Sequence, residues 1–591
     1  MPPLLRSPPM RRGMPSLSVS RSSCHPADRT ATLAPDDEDT ANLIVSGRVG
    51  GAFWGPAPHV TRPIVICDGH LPAADQKLAS RLLSWALRHY PSENILLVVR
   101  HPHGSAVRIA RRHGVAVTDA QIDPHALLDG AREVHCTGPH DLADLAAMRG
   151  LPVLVHRETG ALPTVWTRSD ACLRLIRGTR YIDPYTGKPI GCREAIAILT
   201  LWRRTILSNR QVAACAGMSL WKRRRIAEFL ATAPGSPPFI RYPSALRRIK
   251  RSRSDHNTQG VAVWATRIPQ GLEAAARTAG LEIWRVEDGF IRSVGLGSGL
   301  QVPCSIFLDR RGIYYDPSRP SDLEHILATH PFDDTLRERA RKLIDLVVAG
   351  GISKYGVDTD GALPERGDTP AGRRPVILVP GQVSDDMSVL LGGGTITSNM
   401  DLLRAVRARN PDAVVIYRPH PDVNAGHRAG ALNDAEVRQY ADQISRGGSV
   451  ISLLSKVDAV HTLTSLAGFE ALLRGVQVVT YGAPFYAGWG LTTDLGPVPH
   501  TRRHRSLTLE ELVAGTLLLY PSYIDPLTRL PCEPEMLIDR IQDARLWRPT
   551  LLMRAREIQG QVRRRLGQMK TERVTPVAGE KQNTKRANPD A

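Results

Sequence analysis

Long apolar runs are missing from this sequence. No uninterrupted stretch approaches the ~20 residues a helix needs to cross a bilayer, so no spanning helix is expected among the 591 residues. Aromatic residues are scarce, at 5%, and do not interleave with basic ones. That removes the stacking platform of a single-strand nucleic-acid binder. Zinc-finger, RNP-like and basic-zipper patterns are also absent, and no nucleic acid is expected as a partner. The eight cysteines are scattered without a close pair, which excludes a disulfide framework and a zinc cage. A reduced, cytoplasmic compartment is the corresponding expectation. The opening "MPPLLRSPPMRRGMPSLSVSRSSCHPADRT" is basic, broken by proline and without an apolar core, so it does not read as a secretory signal. Residues 1–58 are expected to be a disordered basic tail.

What is present is a globular composition: 42% hydrophobic and 23% charged residues, in a chain long enough for two to four domains. The formal charge of +19 gathers in the N-terminal tail, in "RRIKRSRSDH" at 247–256 and in "RAREIQGQVRRRLGQMK" at 554–570. Attraction to anionic phospholipid or to an acidic glycan rests on the same physics. A general arginine bias with solvated linkers fits the charge equally well.

Short apolar runs rich in β-branched residues recur: "PIVICDG" (63–69), "NILLVVR" (94–100), "LPVLVH" (151–156), "GVAVWAT" (260–266), "PVILVPG" (375–381), "AVVIYRP" (413–419) and "QVVTYG" (477–482). Most precede a helical pattern, which is the alternation of an α/β fold with parallel sheets. Part of the chain is written twice. "NILLVVRHPHG" mirrors "AVVIYRPHPDV", "AREVHCTG…LADLAAMRG" mirrors "VDAVHTLTSLAGFEALLRG", and Tyr181-Ile182-Asp183-Pro184 matches Tyr523-Ile524-Asp525-Pro526. The first copy has no counterpart of 260–370. The expected order is a degenerate Rossmann-like lobe with a helical extension (59–231), a basic linker (232–259), a lobe at 260–374, a nucleotide-binding lobe at 375–548 and a basic helical or disordered tail (549–591).

Four segments carry candidate chemistry. "VEDGFIRSVGLGSG" sets Glu287, Asp288 and Arg292 after a strand, at the edge where α/β ligand sites form; its glycines suit an anion or a plain turn. "VPGQVSDDMSVLLGGG" runs from a strand into Gly381 and Gln382 and then the pair Asp385 and Asp386. Adjacent side chains on extended backbone point apart, so one of the two acids faces a cleft; a helix N-cap accounts for the segment equally. "RPHPD" presents His420 and Pro421 beyond a strand, where an imidazole can donate to a phosphate. "TLTSLAGFEALLRG" places Thr464 and Ser465 at a helix start, where N–H groups and the dipole favour a phosphate, with Glu470 a turn further in to meet a ribose hydroxyl.

In their order and spacing, "EDGFIRSVGLGS", "VPGQVSDDMSV", "RPHPD", "SLAGFEALLRG", "YGAPFYAGWGLTTD" and "YIDPLT" resemble the KpsC/LipA-type capsule polysaccharide biosynthesis and export proteins. The likeness covers roughly 260–540, with the weaker copy at 63–210. The resemblance implies a GT-B-like glycosyltransferase module of two Rossmann-like lobes, preceded by a partial degenerate copy of one lobe. It also implies transfer of 3-deoxy-D-manno-octulosonic acid (Kdo) from CMP-Kdo, with retention, to a phosphatidylglycerol-linked Kdo glycolipid. On that likeness Asp386 is the catalytic carboxylate, Glu287 the acid/base, and His420 and Ser465 hold the CMP phosphate. No cofactor is implied and the transfer is expected to be metal-independent; no Asp-x-Asp metal signature stands out apart from linker text around 358–368. The implied setting is the cytoplasmic face of the inner membrane, peripheral to its anionic surface, with a partner capsule transferase and export machinery. The contrasting expectation is a non-catalytic assembly or export factor that keeps the fold.

Overall fold

The computed structural model describes residues 3–20, 35–67, 76–100, 103–138, 140–156, 162–177, 179–233, 235–252, 258–294, 301–353, 356–357, 368–369, 372–424, 428–446 and 450–547. Two compact units form: Met1–Val286 with Ser522–Leu537, and Glu287–Pro521 with Ile538–Ala591. The linker text around 358–368 and the basic tail from 549 lie almost wholly outside the described residues. Among the described residues no helix is long and apolar enough to cross a membrane.

The first unit opens with helix α1 (Pro35–Gly47) and a six-stranded sheet: β1 (Ile64–Cys67), β2 (Ile95–Val99), β3 (Ala116–Asp119), β4 (Glu133–Cys136), β5 (Val153–Val155) and β6 (Thr164–Val165). Its order is β3-β2-β1-β4-β5-β6, parallel except for the β5–β6 pair. Every residue of β1 and β2 is buried, as in a parallel sheet covered on both faces. Helix α2 (Asp141–Met148) is buried along its whole length.

Residues 3–20 and 35–58 correct the expectation of a disordered tail. Leu4, Leu5 and Leu17 are buried in the same core as α1 and α2, and the short strand Ser18–Ser20 pairs with Thr179–Tyr181. These leucines stand singly among prolines and arginines. Without a period they leave no pattern to read, yet each one buried removes apolar area worth about 1.5–3 kcal/mol.

The boundaries near 232–259 are also corrected. After helix α3 (Cys192–Arg210), the strand β7 (Val212–Ala216) pairs in parallel with β8 (Gly260–Trp264), and β8 with β9 (Glu282–Asp288). β7 reads "VAACA", alanine-rich with low strand propensity, which is why it passes for the end of a helix. Helix α4 (Leu220–Phe229) follows. Phe239 then bridges Cys215 in parallel, and Ile240 and Leu246 are buried, so the segment up to helix α5 (Ala245–Ser252) is an edge of this sheet rather than a linker.

The repeated Tyr-Ile-Asp-Pro text is a turn. Thr179–Ile182 pairs antiparallel with Pro189–Ile190, and Ser522–Ile524 with Pro531–Cys532. In the first turn Thr186 donates to the Asp183 carboxylate; in the second Thr528 donates to that of Asp525. The same left-handed position is Gly187 (φ 72°) in one and Arg529 (φ 60°) in the other. Only the second carries the strain of a side chain there.

The second unit holds a further six-stranded sheet: β10 (Val376–Pro380), β11 (Val414–Arg418), β12 (Gln443–Ile444), β13 (Ala459–Thr462), β14 (Gln477–Thr480) and β15 (Thr493–Asp494). Its order is β12-β11-β10-β13-β14-β15, parallel throughout. Numbered from its own first strand, each sheet reads 3-2-1-4-5-6. The sequence repeat is therefore a repeat of topology, and the Rossmann-like α/β class expected from the sequence is the one observed.

Buried neutral imidazoles lie in both units. His125, His135 and His461 are almost fully enclosed. Burial lowers His125 and His461 to about 4 and lowers His135. An unfolded chain protonates these groups at about 6.5, so between pH 6.5 and 4 it binds more protons than the folded one. Stability is expected to be intact above pH 6.5 and to fall as pH drops through that window. Urea midpoints measured from pH 7.5 to 4.5 check this; a flat series contradicts it.

Candidate functional site

The chain leaves β10 for β11 on one side and β13 on the other. This reversal is the switch point at which open α/β sheets bind ligands. Gly381 and Gln382 stand there, at the end of β10. Gly381 N–H donates to Arg418 O at 2.7 Å, and a Cβ on Gly381 would stand 2.6 Å from the Tyr417 hydroxyl, so a larger residue at the strand exit has to displace the Tyr417 side chain. Gln382 is buried. Its amide donates to Thr464 Oγ1 at 2.9 Å and its Oε1 accepts from Thr464 N–H at 3.0 Å. Asn399, at the start of helix α7 (Asn399–Arg409, after α6, Met387–Gly392), exchanges two further bonds with the Gln382 backbone. Two candidate segments, 381–382 and 464–465, are thus one hydrogen-bonded unit.

Ser465 is the N-cap of helix α8 (Leu466–Leu472), its Oγ accepting from Ala467 N–H at 3.2 Å. Tyr486 donates to Ser465 O at 2.6 Å, and a Cβ on Gly468 would lie 2.3 Å from the Tyr486 hydroxyl. Gly468→Ala therefore has to push the phenol off the helix start. We expect a loss of about 1–3 kcal/mol from such overpacking, read by chemical denaturation; an unchanged midpoint contradicts the assignment. Glu470 is buried in the body of the helix, 8% exposed. In the first copy the corresponding cap is His140, whose Nδ1 accepts from Leu142 N–H at 3.1 Å. Leu145 stands where Glu470 does. The first copy's His101-Pro102 lies outside the described residues.

His420 follows β11. Its Nδ1 accepts from Asp422 N–H at 3.1 Å, at the short turn begun by Pro421. An accepting Nδ1 fixes the tautomer with the proton on Nε2.

The paired aspartates part company. Asp385 is exposed and binds Arg428 at 2.9 Å, which holds its carboxyl below the usual range. Asp386 is half-buried and caps α6: its Oδ1 accepts from Ser388 N–H at 2.9 Å and Ser388 Oγ at 2.8 Å. The N-cap alternative is thus realised at Asp386. Its Oδ2 accepts no hydrogen bond among the described residues.

Glu287 and Asp288 end β9. Asp288 N–H donates to Glu287 Oε1 at 3.0 Å, and Asp288 Oδ2 accepts from Arg292 Nε at 2.7 Å. Arg292 is 1% exposed and also donates to Ser293 Oγ and Gln301 O. The glycines of "GLGSG" at 295–299 lie outside the described residues.

Sequence reasoning missed the residue that joins these acids. Tyr314 is partly buried. Its phenol is pushed well above its ordinary range, first by burial and then by the charges of Glu287, Asp386 and Asp288. Its ring packs on Phe290 (4.8 Å between centroids), Phe307 (5.1 Å) and Phe485 (5.8 Å). Phe290 stacks on Phe485 at 4.5 Å, and Phe469 lies 5.4 Å from Phe485. The phenylalanines of "EDGF", "GFE" and "APFY" are one cluster, which brings motifs far apart in sequence to one place. The doublet Tyr314-Tyr315 was the available signal.

A parallel sheet of order 3-2-1-4-5-6 with polar groups gathered at its switch point defines a Rossmann-type lobe. Comparison narrows the class. Residues 259–356 and 359–523 match the capsule polysaccharide biosynthesis protein family. The capsule polysaccharide modification protein LipA of Neisseria meningitidis serogroup A is 37% identical over 486 residues, 77% of this chain and 67% of LipA. The lipopolysaccharide-processing protein LpsZ of Rhizobium meliloti is 40% identical over 309 residues, 52% of this chain and 69% of LpsZ. A solved Thermosulfurimonas dismutans KpsC, a beta Kdo 2,4 transferase, is 31% identical over 56% of this chain and 98% of its own, with a TM-score of 0.48. The chain belongs to the capsule polysaccharide biosynthesis protein family.

Proposed function

We propose that this chain is a retaining glycosyltransferase of capsule biosynthesis that transfers Kdo from CMP-Kdo to a phosphatidylglycerol-linked Kdo glycolipid. The observation that carries the reading is the aromatic cluster in which Phe290, next to Asp288 in the chain, stacks on Phe485 while Tyr314 packs on both. A Cβ on Gly392, at the end of the helix that Asp386 caps, would lie 3.8 Å from Tyr315 O, which supports the reading that acids from two separate motifs act on one sugar. The kinship with LipA supports the capsule setting, and the ordered motifs support Kdo.

In the proposed chemistry Asp386 Oδ2 attacks the anomeric carbon while the bond to the CMP phosphate breaks and the electron pair leaves with CMP. Oδ1, held by Ser388, fixes the carboxylate's angle. Glu287 then takes the proton of the acceptor hydroxyl, whose oxygen displaces Asp386; two inversions give net retention. His420 Nε2–H and the N–H groups at the start of α8 meet the departing phosphate, and Thr464, Pro421 and Gln382 hold that floor in shape. Glu470 contacts the ribose. These donors carry the phosphate's charge without a metal ion in the proposal. The enzyme works at the cytoplasmic face of the inner membrane, peripheral to its anionic surface, beside a partner transferase and the export machinery.

Incubating the full chain with CMP-Kdo and a synthetic β-Kdo glycolipid tests the reading. CMP release with extension of the acceptor is expected. Binding without turnover favours the non-catalytic assembly factor instead.

A further inference from the structure

At the C-terminal edge of the sheet β7-β8-β9 the first unit exposes two large apolar side chains. Leu220 is 80% exposed and Tyr242 63%. They share one edge. The parallel bridge between Cys215 and Phe239, with Ile240 N–H donating to Cys215 O at 2.8 Å, brings the chain that leads to Tyr242 beside β7, which ends at Ala216 ahead of Leu220. The loop after β8 joins them, since Arg267 Nη1 donates to Ser219 Oγ at 2.7 Å.

Arginines frame these tips. Arg223 lies over the Phe239 ring at 5.6 Å and Arg241 over the Tyr242 ring at 5.5 Å. Arg241, Arg247, Arg248 and Arg267 are exposed. β9 ends at this same edge in the half-buried acids Glu287 and Asp288, Glu273 is exposed after the β8 loop, and Glu228 is engaged by Arg225 and Arg529. Beside the two apolar tips the exposed side chains of Arg241, Arg247, Arg248 and Arg267 give this part of the edge a cationic character.

We infer that this edge, Leu220 and Tyr242 framed by Arg223, Arg241, Arg247 and Arg267, is the surface by which the protein docks on an anionic phospholipid bilayer. Guanidinium groups meet lipid phosphates, leucine enters the acyl boundary, and tyrosine sits at the headgroup level with its hydroxyl in water. The inference rests on the membrane-peripheral reading above and adds which face makes the contact. The segment that joins Phe239 to α5 thereby has a role that its composition, read as a linker, does not suggest.

Flotation of the full chain with vesicles tests it. Binding is expected to vesicles of phosphatidylcholine with phosphatidylglycerol, to weaken with salt, and to be absent with phosphatidylcholine alone. The double variant Leu220→Ser/Tyr242→Ser should lose binding on the order of tenfold or more, from the apolar area no longer buried. Arg241→Gln/Arg267→Gln should lose about fivefold per charge removed. Both should elute as the wild type does and release CMP normally with a soluble acceptor. A wild type that ignores phosphatidylglycerol overturns the peripheral reading itself. A wild type that binds, with both variants binding equally well, overturns this surface alone and assigns docking to another basic segment.

Discussion

Asp386→Asn is expected to lower turnover by about four orders of magnitude, the scale of losses when a nucleophile is removed. Asparagine keeps the volume, and its side-chain oxygen can still accept from Ser388 N–H and Oγ as Oδ1 does. The cap of α6 and the local fold therefore survive, and CMP affinity should be nearly unchanged. What disappears is the anionic Oδ2. Asp385→Asn provides the contrast. Its side chain is 66% exposed and paired with Arg428 at the surface, and surface pairs of this kind contribute little, so a mild effect is expected. A dead Asp385→Asn with an active Asp386→Asn would assign the chemistry to the other acid. Full activity in both would leave the assembly-factor reading in its place.

Arg292→Met should destabilise the protein by about 3–5 kcal/mol, the usual result of removing one partner from a buried ion pair. Arg292 is 1% exposed, and its donors reach Asp288, Ser293 and the Gln301 carbonyl. Methionine fills most of the space but leaves the Asp288 carboxylate and that carbonyl without their donor. Because Asp288 N–H binds Glu287, the change should also disturb Glu287 and lower kcat. Arg292→Met/Asp288→Leu should recover much of the stability, since an apolar pair often replaces a buried ionic one at little cost, while activity stays low. Denaturation midpoints beside kcat for the single and double variants separate the two effects. Equal stability of Arg292→Met and wild type would contradict this account.

The parallel strands were legible because burial on both faces writes them as unbroken apolar runs, and the internal repeat was legible because both copies keep one strand order. β7 was not, because "VAACA" lacks the branched residues by which strands are recognised and takes its place from pairing with β8. Nor were Leu4, Leu5 and Leu17, single anchors without a period. At the site, the sequence named Asp386, His420 and Ser465 but could not choose between capping and ligand binding. In the structure Asp386 and Ser465 cap helices with one oxygen each, and His420 closes a turn through Nδ1. Capping orients these groups, so the two roles that seemed alternatives are compatible. Tyr314 escaped notice because its importance comes from acids contributed by segments distant in sequence, a three-dimensional fact.

The most direct test is intact-protein mass spectrometry, with peptide mapping, after exposure to CMP-Kdo without acceptor. The account predicts that the wild type gains the mass of one Kdo residue, mapped to Asp386, that adding acceptor discharges it, and that Asp386→Asn gains nothing. Product formation by a wild type whose adduct maps to another residue, or by an Asp386→Asn variant at the wild-type rate, would contradict it.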